Sequence, residues 1–129
     1  MSKVVDNGNF HKVLENRRPT ELEVMEGIPC NCKVDLKGMQ PPLIIQVKYR
    51  TKGDLLVYGS YKNLEPSEKK CDQVDERPLK IVVNGRSFKT NMYYLSFTSQ
   101  HGVHVSATAY FTQGPGAAAK GDGPIKFER

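Results

Sequence analysis

Gly53-Asp54-Leu55-Leu56-Val57-Tyr58-Gly59-Ser60 lies at the centre of a longer region, Pro42 to Phe111, in which apolar and polar residues alternate repeatedly. Successive side chains of a strand point to opposite faces, so this alternation is the pattern of strands with one buried face. Leu55 to Tyr61 is apolar on both faces and is expected to lie centrally. Its Gly-Asp start has turn chemistry, since Gly tolerates positive φ and Asp caps turns.

Working outward, Leu22 and Val24 alternate with glutamates. Cys30, Cys32, Val34 and Leu36 share one face of the next strand. Leu43, Ile45, Val47 and Tyr49 follow, then Leu79, Ile81 and Val83, and then Met92 to Thr98. Val103, Val105, Ala107, Ala109 and Phe111 close the series. Asn84-Gly85 is a strong turn dipeptide. Thr51-Lys52-Gly53-Asp54 is expected to close a tight hairpin, and Ser99 to Gly102 a second one. Lys62 to Pro78, with two prolines and many charges, is expected to cross from one sheet to another. The fold expected is all-β, a single antiparallel β-sandwich of jelly-roll type with about seven to eight strands. Residues 20–111 form the domain. Residues 1–19 are an N-terminal arm with one helical turn on Phe10, Val13 and Leu14. Residues 112–129 are a flexible Gly/Ala-rich tail.

A chain of 129 residues suffices for one core without disulfide or metal. There is no Trp, so the core rests on Leu, Ile, Val, Tyr and Phe. No run approaches the roughly 18 apolar residues of a membrane span. Three cysteines (Cys30, Cys32, Cys71) cannot all pair within one chain, and the start Met1 to Asp6 lacks the apolar core of a secretory signal. Both point to a reducing, cytoplasmic setting. Net charge is +5 without basic clusters interleaved with aromatics, which fits an acidic protein partner better than nucleic acid.

The span Pro42 to Phe111 resembles the pre-peptidase C-terminal domain, a small β-sandwich appended to secreted bacterial proteases. The likeness is carried by Pro42-Leu43-Ile44-Ile45, by Gly53 to Tyr58, by Glu65-Pro66 and by Tyr93-Tyr94-Leu95-Ser96-Phe97 through Val103–Phe111. That family reads Gly-Asp-x-Asp-Leu-Tyr at the central turn, and Leu56 stands here in place of the second Asp. The resemblance implies a non-catalytic domain that helps to bind a substrate matrix or aids export.

The chemistry-bearing residues form no catalytic pattern. Cys30-x-Cys32 lacks the paired Cys-x-x-Cys knuckles of a zinc site, even with Cys71 and His104 added. Buried cysteine behaves as a small apolar side chain. Cys30 and Cys32 are therefore expected to be free thiols, slower to react than Cys71. His101 and His104 have no nucleophile in a recognisable setting beside them, and Gly59-Ser60 is not a nucleophile elbow. No cofactor or metal is expected. The expected role is a non-enzymatic intracellular protein-interaction or scaffolding module on an acidic surface, for which a cytoskeletal assembly would suit. The alternative is an extracellular carbohydrate- or matrix-binding accessory domain. Candidate contact residues are Phe10, Lys12, Arg17, Arg18, Tyr58, Tyr61 and Tyr110. Tyrosines are the natural choice for a sugar or peptide groove, having an apolar body and a polar tip.

Overall fold

The computed structural model describes residues 11–113. Nine strands are present among them: β1 (Lys12–Val13), β2 (Thr20–Val24), β3 (Cys30–Asp35), β4 (Gln40–Tyr49), β5 (Leu56–Ser60), β6 (Gln73–Glu76), β7 (Lys80–Val83), β8 (Met92–Thr98) and β9 (Val103–Gln113). They build two sheets, ordered β2-β9-β4-β7 and β1-β3-β8-β5-β6. Every pairing is antiparallel except β1 with β3. The described residues contain no helix, and hence none that could cross a membrane.

Alternation places the core where the sequence puts it. Leu22, Val24, Leu43, Ile45, Val47, Ile81, Val83, Val105, Ala107, Ala109 and Phe111 come from one sheet. They meet Cys32, Val34, Val57, Tyr93, Leu95 and Phe97 from the other, with Leu55 buried just before β5. One-residue slips would turn each set outward, so burial itself fixes the register. Two glycines are required by close approach. A Cβ on Gly59 would lie 2.5 Å from the Tyr93 hydroxyl, and one on Gly53 would lie 2.8 Å from Val103 Cβ.

Four local expectations are corrected. The helical turn at the N-terminus is absent from residue 11 onward: Lys12–Val13 pair with Cys32 and Lys33, and Leu14 is buried in the core. A parallel strand anchored by one Leu is favoured because an isolated turn of helix gains too little to persist. Thr51 to Asp54 does not close a hairpin, since β4 and β5 belong to different sheets. The Lys62 to Pro78 region does lead from one sheet to the other, but it is not loop throughout, since it holds β6. β5 pairs with β6, and the chain changes sheet only between β6 and β7. Ser99 to Gly102 likewise joins strands of opposite sheets, with β8 between β3 and β5 and β9 between β2 and β4. Alternation reports which face of a strand is buried and says nothing of which neighbour it pairs with, so hairpins and sheet changes look alike. The expectations for residues 1–10 and 114–129, Phe10 included, lie outside the described residues.

Candidate functional site

Asp54 organises one end of the sandwich. Its Oδ2 accepts the Gln100 amide at 2.8 Å, and its Oδ1 accepts the Ser99 hydroxyl at 2.9 Å and the His101 amide at 3.3 Å. Ser99 Oγ in turn accepts the Gly102 amide at 2.9 Å. The carboxylate thus fastens the β4–β5 link to the β8–β9 link. These donors, led by the Gln100 amide, hold its pKa down to about 2 against a smaller cost of burial. On the other side of the link, Arg77 Nε donates to Gly53 O at 3.0 Å.

Beside this knot the outer face of the five-stranded sheet opens into a cleft of about 400 Å³, lined by Glu26, Asp54, Leu56, Tyr58, Thr98 and Gln100. Leu56 and Tyr58 alternate with the buried Leu55 and Val57, so they point outward by strand geometry alone. Thr98 is paired across from Leu56, and its hydroxyl donates to Leu56 O at 2.9 Å. Across β5 from β8, Val74 is paired with Tyr58 and is half exposed. Ser96 is Tyr58's partner on β8, and Asn31 is the partner of Ser96 on β3. The result is a shelf with an aromatic and aliphatic floor and the Thr98 and Gln100 side chains alongside, while Ser96 is buried. Burial, with Glu68 and Cys71 nearby, raises the Tyr58 pKa, so the ring stays neutral. The shelf is walled at its other end, where His11 Nε2 lies 2.7 Å from Leu64 O and the His11 ring meets Tyr94 edge-on at 5.8 Å.

The sequence candidates do not converge on this place. Tyr58 lies on the shelf. Tyr61 packs edge-on against Tyr93 at 4.9 Å, with Lys89 Nζ 5.8 Å from its ring. Arg17 and Tyr110 are brought together, the guanidinium 5.8 Å from the ring, but on the other sheet. Arg18 pairs with Glu15 at 3.6 Å. Lys12 reaches from β1 to Glu21 O on β2 at 3.3 Å. Leu56, Thr98 and Gln100 were missed; the signal for Leu56 was its departure from the family's acid at that position. Among the described residues no group of three or more His, Cys, Asp or Glu could hold a metal, and Cys71 donates weakly to Glu68 O at 3.9 Å, in the β5–β6 loop.

No family model and no curated protein matches the sequence. Among solved structures, the chain is similar to the pre-peptidase C-terminal domain of a collagenase from Bacillus anthracis, with a TM-score of 0.60 and 6% identity over 81% of this chain and 99% of that one. It also aligns with a periplasmic inhibitor of g-type lysozyme from Aeromonas hydrophila, with a TM-score of 0.45 and 7% identity over 78% and 99% of the two chains. The resemblance read from Pro42 to Phe111 therefore holds at the level of fold: this chain is an all-β sandwich built like the pre-peptidase C-terminal domain.

Proposed function

We propose that the chain is a non-catalytic binding domain for an extracellular matrix or carbohydrate polymer, and that the polymer lies along the shelf at Tyr58. The observation that carries this reading is the open aromatic and aliphatic floor of Leu56, Tyr58 and Val74 beside the Glu26–Gln100 cleft. Flat rings suit a repeating polymer, because they give contact area at little cost in side-chain entropy while nearby hydroxyls and amides set orientation. The fold supports it too, since the similar domain belongs to an enzyme named for acting on collagen, a matrix polymer. Leu56 in place of an acid makes the floor more apolar.

The test is co-sedimentation of the protein with a panel of insoluble polymers, namely fibrillar collagen, chitin, cellulose and peptidoglycan. Retention on at least one, eluted by the soluble fragment of that polymer, is expected. Failure to sediment with any of them would remove the reading.

A second reading, an intracellular module docking on an acidic protein surface, is favoured by one observation: all three cysteines are free thiols. A reducing compartment keeps such thiols. Binding of that kind would weaken steeply with added salt, whereas binding along an aromatic shelf would change little.

A further inference from the structure

One flank of the sandwich carries two strand edges of matching chemistry. β6 ends the five-stranded sheet and β7 ends the four-stranded one, each with a single neighbour among the described strands, and residues 77–79 link them. Gln73 Nε2 donates to Val82 O at 3.3 Å, so the two edges lie side by side and run in opposite directions. Along a strand, backbone groups turn to alternate sides. Leu79 O accepts from Val47 N at 2.8 Å, so Leu79 and Ile81 face β4, while Lys80 and Val82 turn their N–H and C=O to the free edge. Arg77 N donates to Leu55 O at 2.7 Å, so Arg77 and Asp75 face β5, while Val74 and Glu76 present theirs to the free edge of β6. All four side chains lie on the outer faces, opposite in sense to the buried Ile81 and Val83 and to the inward Gln73. Val74 is 50% exposed, Val82 39%, and Leu79 in the link 70%. Lys80 and Glu76 are exposed, and neither has an ion-pair partner among the described residues.

We propose that this flank is the interface of a two-fold dimer, its occupant a second copy of the chain. A two-fold axis parallel to the strands lays β7 antiparallel against the partner's β6, and the partner's β7 against β6. Because Gln73 is already level with Val82, that operation sets Val82 opposite the partner's Val74 and Lys80 opposite the partner's Glu76. In this register all four residues exchange backbone hydrogen bonds, since each presents its N–H and C=O to the free edge. Apolar then meets apolar and cation meets carboxylate, the favourable combinations for directly opposed cross-strand pairs. A lysine on an edge ordinarily discourages an added strand. Here the facing edge supplies its counter-charge. Pairing β7 with β7, or β6 with β6, would instead oppose Lys80 to Val82 and Glu76 to Val74. The contact is isologous and closes at two copies. The opposed side chains stay on the outer faces, so the Tyr58 shelf remains open.

The experiment is sedimentation velocity of the whole protein from micromolar to millimolar concentration. A reversible monomer–dimer equilibrium with nothing larger is expected. Lys80→Glu and Glu76→Lys each bring like charges together at both pairings, and each should weaken the dimer by about tenfold. Both are exposed positions, so the fold should tolerate the changes. The double variant carries opposite charges again with the signs exchanged, and it should dimerise as the parent does. Any of four results overturns the proposal: a monomer throughout the range, a dimer that neither reversal weakens, a double variant as weak as the single ones, or growth beyond two copies.

Discussion

Asp54 shows how much a single side chain fixes here. Its pKa is held below its ordinary 3.8, at about 2. A group depressed in this way stabilises the fold in full above its unfolded pKa and loses that effect as pH falls toward the folded value. Glu21 acts in the same direction, lowered chiefly by its hydrogen bond from Arg50, whose Nη2 lies 3.1 Å away. Acid unfolding should therefore steepen between about pH 4 and pH 2. Asp54→Asn should flatten that limb and lower stability at pH 7, because an amide cannot accept from all three donors. A limb identical in the variant, followed by circular dichroism, would show that another carboxylate is responsible. Gly59 makes the complementary case through space. Gly59→Ala should destabilise by about 1–3 kcal/mol as its methyl meets the buried Tyr93 ring. Urea unfolding should show Gly59→Ala and Tyr93→Phe to be less than additive, since the second change removes the atom that lies nearest the new methyl. The sequence marked Asp54 as a turn residue and Gly59 as nothing in particular. The first signal is local chemistry; the second depends on a residue 34 positions away.

Among the elements, β1 and β6 are the shortest in the five-stranded sheet and form its two edges. β1 is held through Leu14, which follows it into the core. Leu14→Ala should cost about 2–5 kcal/mol, a penalty an undocked arm would not show. β6 is held through Gln73, which accepts from the buried Tyr93 hydroxyl at 2.7 Å and donates to Val82 O of the facing sheet at 3.3 Å. Gln73→Ala leaves that hydroxyl enclosed without its acceptor and should cost about 1–3 kcal/mol in denaturant unfolding. Neither edge was legible beforehand. The strands with clear alternation, β2 to β5 and β7 to β9, were found; the inward residues named for β2, β3, β4 and β9 are buried or half-buried, whereas Leu79, grouped with Ile81 and Val83, lies exposed just before β7. β1 and β6 are too short for a period to register, and Gln73 and Val74 look like any loop pair. Sheet membership was illegible for all strands, because short links such as Ser99–Gly102 serve equally well to turn within a sheet or to step between sheets.

At the scale of the molecule, the two outer faces differ. The four-stranded sheet carries Arg17 over Tyr110 and, further along, Glu21 between Arg50 and His104, whose Nε2 lies 2.9 Å from the carboxylate. The five-stranded sheet carries the Leu56–Tyr58–Val74 floor and the cleft at Asp54. The sequence named candidate contact tyrosines but could not sort them by face, because that needs the pairing order. The central claim is that ligand contact is confined to the Tyr58 face. The most direct test is co-sedimentation of Tyr58→Ala beside Tyr110→Ala on the polymer that retains the parent protein, with thermal midpoints measured in parallel. Loss of a central tyrosine contact costs about 2 kcal/mol or more, which is roughly a thirtyfold weakening. That loss is expected for Tyr58→Ala with its midpoint little changed, while Tyr110→Ala binds as the parent does. Equal retention of both variants, or a loss confined to Tyr110→Ala, would contradict the assignment.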